Sequence, residues 1–350
     1  MDKGDESYQE NRKLAVMPEF SLSSIADGSY VKQLEAYFTD RFAGRSYWIS
    51  ANGVMEANVG ERIVNGVYIA DDKMLDISAK TDGSLENTAD FINEFVESYD
   101  GTAYFVAVPS SSGVYDDLLP EYISGDTEKQ KIDKLYSLFD SNIRKIDAYN
   151  ILKMLNDNYI YYRNDSKWTS YGAYCVYRTV IQKLGFLPSA YDKYTIEHIS
   201  GEFRGDLYNK TLYTNIKADM LDIYEYHEGA EILECIGYNL DGTVYEKNFY
   251  EKSYINSNDM YKLYLGDEAP MVHIKTSVNN EKKLLIIKDS YANCFIPFLL
   301  QHYSEIDIIS PESLESGMSN FINIDSYEQT LFLFGIKELY NSEFFENLNK

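Results

Sequence analysis

The sequence predicts an α/β fold built on a mainly parallel β-sheet. Two observations carry this. Apolar runs at 103–108, 284–287, 306–309 and 331–334 have the continuous apolar character of strands buried on both faces. A helical pattern at 291–303 joins the second run to the third, and such a strand–helix–strand unit implies a right-handed crossover and parallel pairing.

In chain order, residues 1–25 are polar and aperiodic and are expected to form a flexible tail, with a single domain over 26–350. A helix is expected over 31–43, with Leu34, Tyr37, Phe38 and Phe42 on one face, and a second over 47–59. Phe38, Phe42 and Trp48 follow helical spacing and read most simply as core. Asn65-Gly66-Val67-Tyr68-Ile69 and then Asp71-Asp72-Lys73-Met74-Leu75 suggest two short strands around a turn. Ser84 can cap a helix whose apolar face is Phe91, Ile92, Phe95 and Val96, and Gly101 stops it. Further helices are expected over 128–144 and 168–184. Residues 190–280 break this rhythm. They are rich in Tyr, Thr, Ile and Val, with turns at Gly201, Gly205, Asn239-Leu240-Asp241-Gly242 and Asn256-Ser257-Asn258, and they predict an antiparallel β insertion beside the sheet.

Composition bounds the function. The 350 residues can bury a substantial core, and 33 Tyr with 17 Phe exclude a disordered polymer. A net charge of −24 repels nucleic acid and anionic lipid. Cys175, Cys235 and Cys294 are far apart and odd in number, so neither a disulfide framework nor a metal site is expected, and no cofactor is implied. The apolar runs are too short to span a bilayer. The polar start, Met1-Asp2-Lys3-Gly4-Asp5-Glu6, reads as the front of a mature chain, and we expect an extracytoplasmic protein whose export signal has been removed.

Two segments carry chemistry. Ser290 follows an apolar run through Lys288 and Asp289, where a helix is expected to begin at once. At the carboxyl end of a strand its hydroxyl is exposed, and free N–H groups at a helix start can stabilise an oxyanion. A plain helix cap is equally good chemistry for this residue. The second segment runs from Tyr159-Ile160-Tyr161-Tyr162 into Arg163-Asn164-Asp165, and a helix starts near Trp168. Alone, it is an ordinary capped helix start.

Together the segments resemble a known family. Tyr161-Tyr162-Arg163-Asn164-Asp165-Ser166-Lys167-Trp168-Thr169-Ser170-Tyr171-Gly172-Ala173-Tyr174 is similar to the signature of the DHHW proteins, Asp-His-His-Trp followed by Thr and Gly-Ala-Tyr. That family is related to the SGNH-hydrolase-like domains of alginate O-acetyltransferases. Tyr37-Phe38-Thr39-Asp40-Arg41-Phe42-Ala43-Gly44-Arg45, Asn65-Gly66-Val67-Tyr68, Gly205-Asp206-Leu207-Tyr208-Asn209-Lys210 and Asp289-Ser290-Tyr291-Ala292-Asn293 resemble further blocks of it, in the right order. The resemblance implies a three-layer αβα, flavodoxin-like sandwich of circularly permuted motif order. It places the nucleophile at Ser290, the orienting acid at Asp165 and the catalytic histidine at Lys167, with the other motif histidine at Ser166. Asn293, Tyr208, Lys210 and Tyr291 are the expected substrate-binding positions, Asn293 as a companion to the Ser290 N–H in an oxyanion hole.

Lys167 changes the mechanism. A serine hydroxyl needs a base, and neutral imidazole suits this near pH 7. An ordinary lysine titrates near 10.4, so its neutral form costs about 4–5 kcal/mol at pH 7. Asp165 lies two residues away and Asp289 adjoins the serine, and carboxylates favour the ammonium. Lys167 is therefore expected to pair with Asp165, although serine–lysine dyads exist. His302 is too far along the presumed helix to substitute, whereas His198, His227 and His273 lie in the insertion, from which one could reach the cleft. Arg204-Gly205-Asp206 invites an adhesion reading but coincides with a family block. Tyrosine faces and hydroxyls near the cleft, at Tyr161, Tyr162, Tyr171, Tyr208 and Tyr291, suit sugars, though such residues also simply fill strands. The expectation is an impaired SGNH-like domain that binds a carbohydrate or acylated polymer, with an active serine esterase or O-acetyltransferase as the alternative.

Overall fold

The structure, a computed structural model, describes residues 6–7, 12–41, 62–78, 84–123 and 127–350. Near the amino terminus β1 (Glu6–Ser7) pairs with β2 (Arg12–Lys13). Strands β3 (Ile63–Val64), β4 (Val67–Ile69) and β5 (Met74–Asp76) form a small antiparallel sheet. Asn65 and Gly66, at φ 48° and 75°, make its first turn, a conformation that an Asn-Gly pair adopts at low cost.

The remaining strands are β6 (Thr102–Val108), β7 (Arg144–Ile146), β8 (Tyr194–Phe203), β9 (Asp219–Tyr226), β10 (Ile232–Tyr238), β11 (Val244–Glu246), β12 (Met271–Thr276), β13 (Lys283–Lys288), β14 (Glu305–Ile309) and β15 (Gln329–Gly335). Eight of them form one mixed sheet in the order β11-β10-β12-β14-β13-β15-β6-β7. The block from β14 to β7 is parallel, as the apolar runs predicted. β12, β10 and β11 add to it antiparallel. The expected insertion therefore does not all lie beside the sheet. Three of its strands extend the sheet from the free edge of β14, and only β8 and β9 form a separate antiparallel pair.

Alternation along the parallel strands sorts their side chains into two cores. Tyr104, Val106, Leu284, Ile286, Leu331 and Leu333 share one with Tyr177, Val180 and Ile181 of the helix Ser170–Lys183. Phe105, Leu285, Ile287, Phe332 and Phe334 share the other with Ile92 and Phe95 of the helix Leu85–Glu97 and Ile132 and Leu135 of the helix Glu128–Leu138. Burying residues such as Phe105 and Phe332 contributes about 1.5–3 kcal/mol each. Ser84 caps the helix Leu85–Glu97 as expected.

Three expectations fail. The helix expected over 128–144 ends at Leu138, and Arg144 already belongs to β7. Residues 291–303 are not a helix but two 3₁₀ turns, Ser290–Ala292 and Ile296–Leu299. Pro297 explains this, since it has no N–H to donate and its ring would crowd the carbonyl of Asn293 in a continuous helix. The helix Ser29–Arg41 forms, but Val31 and Phe38 are exposed and its one buried residue is Asp40, which accepts the Ala15 N–H at 2.8 Å. Phe38 is thus not core. The helix expected over 47–59, with Phe42 and Trp48, lies outside the described residues. Among the described residues no helix is long and apolar enough to cross a membrane.

The connections position the site. From β6 the chain passes through the helix Glu128–Leu138 to β7, on one side of β15. From β13 it passes through Phe295 and Phe298 to β14, on the other side. These connections pack into opposite cores. Such a reversal of direction opens a crevice at the carboxyl ends of the strands.

Candidate functional site

The Asp165 loop is set before it meets anything else. Tyr161 bridges to Trp168, and the Tyr162 N–H donates to the Lys167 carbonyl at 3.2 Å, which closes a tight excursion over 163–166. The buried carboxylate of Asp219 fixes it, accepting the N–H groups of Arg163 and Asn164 at 2.8 Å each and the Tyr159 hydroxyl at 2.6 Å. Asp165 is buried in turn. Its Oδ1 accepts the Lys167 N–H at 2.9 Å and its Oδ2 the Asp206 N–H at 3.1 Å. The Asp206 carboxylate accepts both the N–H and the hydroxyl of Ser166 at 2.7 Å. Gly205 permits this approach, because a Cβ there would lie 1.9 Å from Asp165 Oδ2.

Lys167 Nζ sits 3.4 Å from Asp165 Oδ1 and 4.9 Å from the centre of the Tyr261 ring. The ion pair expected from their spacing is present. Burial favours a neutral amine, but Asp165, Asp206 and Asp259 outweigh it and raise the lysine above its ordinary value. Burial, and then Asp206, push the Asp165 carboxyl up to about 6 against the pull of Lys167. The lysine is thereby held as an ammonium, which has no lone pair to take a proton.

Ser290 follows β13 at the crevice. Asp289 anchors its turn, accepting the Tyr291 N–H at 2.9 Å and the Gly335 N–H, at the end of β15, at 2.7 Å. The turn is one short 3₁₀ segment, so no helix dipole points at Ser290, and the Tyr291 N–H is already occupied. Tyr291 joins the two loops. Its hydroxyl donates to the Ser166 carbonyl at 2.7 Å, and its carbonyl accepts Trp168 Nε1–H at 2.8 Å. The residues on either side of Lys167 are thus both bonded to the residue after Ser290. Among the described residues the Ser290 hydroxyl makes no hydrogen bond. Ser290 lines a cavity of about 220 Å³ together with Glu268, Lys288, Asp289, Ser310 and Glu338, whereas Asp165 and Lys167 do not line it.

The other expected site residues divide. Asn293 Nδ2 donates to Glu268 at 3.1 Å, and its Oδ1 is buried without a partner. Glu268 also accepts the buried Lys288 ammonium at 2.6 Å and the Ser310 hydroxyl at 2.8 Å. Burial raises the Glu268 carboxyl, but Lys288 and these donors overcome that and hold it down at about 2. Tyr208 donates its N–H to the Asn164 carbonyl, and its ring lies under Arg204. Lys210 pairs with Asp76 at 3.6 Å, not with the Asp165 loop.

No histidine takes the place of Lys167 by its contacts. His198 pairs with Asp222 at 2.6 Å, His273 with Asp307 at 2.7 Å, His302 with the Tyr177 hydroxyl at 2.7 Å, and His227 lies 3.7 Å from Glu228. The Arg204-Gly205-Asp206 tripeptide is likewise committed internally, through Asn164, Asp165 and Ser166.

Sequence reasoning did not give roles to Asp206, Asp219, Tyr261, Glu268 or Lys288. Lys288, a charge closing an apolar run beside the serine, was the one visible signal. Residues 261–268 bring Tyr261 onto Lys167 and Glu268 onto Lys288, with Leu265 and Gly266 between them at φ 67° and 65°.

A family model described as DHHW protein matches the chain over residues 10–102 and 56–309. The chain belongs to the DHHW family. Solved structures agree in fold. A DHHW family protein from Eubacterium siraeum is 24% identical, with a TM-score of 0.68, covering 81% of this chain and 96% of that one. PatB1 from Bacillus cereus is 20% identical with a TM-score of 0.65, covering 81% and 99%. A second PatB1 structure, with a sulfonyl adduct, is 17% identical with a TM-score of 0.66, covering 80% and 97%. No curated protein matches. Asp165-Ser166-Lys167-Trp168, the segment that resembles the DHHW signature, has that signature's first and last residues and neither of its histidines.

Proposed function

We propose that residues 26–350 form one extracytoplasmic SGNH-like domain, of three-layer αβα build and permuted motif order, that binds a cell-surface carbohydrate or acylated polymer and whose hydrolytic centre is impaired. The observation that carries this reading is the Lys167–Asp165 ion pair at 3.4 Å. In a serine mechanism the hydroxyl attacks an acyl carbonyl while a neutral base takes its proton, and a third group orients that base. By the family resemblance the orienting acid is Asp165 and the base position falls on Lys167, an ammonium held by carboxylates.

The second reading, an active serine esterase or O-acetyltransferase, is favoured by one observation. Among the described residues neither the hydroxyl nor the N–H of Ser290 has a hydrogen-bond partner, as a nucleophile and an oxyanion donor would require. The related PatB1 has been solved with a sulfonyl adduct, which fits a reactive centre in that protein.

Hydrolysis of p-nitrophenyl acetate separates the two. The binding reading expects wild type and Ser290→Ala to be alike, and Ser290-dependent turnover in Lys167→His. A positioned base is worth roughly 10²–10⁴ in rate. Wild-type activity at pH 7 that disappears in Ser290→Ala would sink the impaired-centre reading.

A further inference from the structure

The crevice has a second, wider hollow. Beyond β15, away from the Ser290 cavity, the carboxyl ends of β15 and β6 bound a cavity of about 520 Å³. Its walls come from Asp76 and its neighbours after β5, from the loop after β6, from the start of the helix Glu128–Leu138, and from Lys337 after β15. We propose that this cavity is a subsite for one acylated sugar residue of a polymer that runs past Ser290. The inference rests on the carbohydrate-binding reading above and adds where the sugar sits.

Position is the first argument. Both cavities border the segment 334–338, the Ser290 cavity through Phe334 and Glu338 and the wider one through Lys337. β13 and β6 are separated only by β15, so their ends lie roughly 10 Å apart. An extended polymer can occupy both hollows without leaving the crevice. The wider one falls in the range of about 300–1,000 Å³ typical of ligand pockets, whereas the Ser290 cavity falls below it.

The chemistry of the wall selects the ligand. Most of its carboxylates are already engaged. Asp76 lies 3.4 Å from Lys337 and 3.6 Å from Lys210, and Asp116 lies 2.6 Å from Lys153. Glu128 accepts the N–H and the hydroxyl of Ser110. Glu121, Glu128 and Lys131 make no ion pair among the described residues, and the second lysine on Asp76 offsets the extra carboxylate. Such a wall exerts little net pull on an anion or a cation, yet is dense in donors and acceptors for hydroxyls. Ile77, Leu119, Pro120 and Ile123 complete it with an apolar surface. Polar groups around an apolar patch suit the hydroxyls, the C–H face and the acyl methyl of a modified sugar.

Calorimetry with three uncharged or cationic probes tests this. They are the pentamer of β-1,4-linked N-acetylglucosamine, its deacetylated counterpart, and cellopentaose. Wild type should bind the acetylated pentamer most tightly. Glu121→Ala combined with Lys131→Ala should weaken it at least tenfold, and Leu119→Trp, which fills the cavity, should weaken it further, with melting temperatures unchanged. Undiminished binding by these variants overturns the subsite and leaves the binding function standing. Failure of wild type to bind any of the three overturns both. Preference for the deacetylated, cationic pentamer overturns acyl recognition.

Discussion

Gly205→Ala is the sharpest test of how the Asp165 loop is held. The new methyl would stand 1.9 Å from Asp165 Oδ2, and the carboxylate would have to retreat to the 3.4 Å or more of ordinary contact. The obstruction is a short buried side chain fixed at both oxygens, so it cannot swing aside cheaply. Retreat breaks the 3.1 Å bond from the Asp206 N–H and displaces Asp165 from Lys167, whose side chain is only 15% exposed. Separating a buried ion pair costs about 3–5 kcal/mol. With an unfolding entropy near 2.1 cal/mol/K per residue, a chain of this size should melt roughly 4–7 °C lower. Scanning calorimetry of wild type, Gly205→Ala and Gly201→Ala measures it. Gly201 is the control, because its added Cβ meets only Met220 Cε, at 3.6 Å. If both variants melt within about 1 °C of each other, the loop does not depend on the close approach of Gly205 and the argument for a preset Asp165 is wrong.

Other outcomes follow from the same geometry. Glu268→Gln leaves the Lys288 ammonium buried without a counter-charge, and urea denaturation should register a loss of about 2–3 kcal/mol, below the value for a fully dry pair because the outer edge of Glu268 is wet. Burial pushes the Asp289 carboxyl up to about 7, so the folded state holds a proton that the unfolded state releases near pH 3.9. Its contribution to stability is therefore complete below about pH 4 and is lost as pH rises to 7, and Asp289→Asn should flatten that part of the wild-type profile. A stability difference between wild type and variant that is the same at pH 5 and pH 7 contradicts this. His302 has the opposite sign. Burial holds it at about 4, so its contribution is present above about 6.5 and is lost as pH falls toward 4. His302→Phe should remove that acid-side slope from a series of thermal melts.

What was legible in the sequence was local or repeated. Apolar runs at 103–108 and 331–334 could only be buried strands, and they pair in parallel register. Lys167 and Asp165 are two residues apart, so their charges predicted their pairing. What was hidden depends on partners distant in the chain. Nothing about Asp219 announces that it will gather the N–H groups of residues 55 and 56 positions earlier. Asn293 stands at the spacing of an oxyanion donor, but its amide is bound to Glu268 from another segment. Residues 291–303 carry the apolar periodicity of a helix, but Pro297 decides their backbone and leaves 3₁₀ turns.

The stretch from Tyr261 to Glu268 works as a caliper. One jaw rests on the cation of the Asp165 loop and the other grips the cation beneath the serine turn, and its left-handed hinge sets the opening between them. A change in the length of this stretch moves both jaws together. Relatives that gain or lose a residue here must therefore rebuild both sides of the crevice at once.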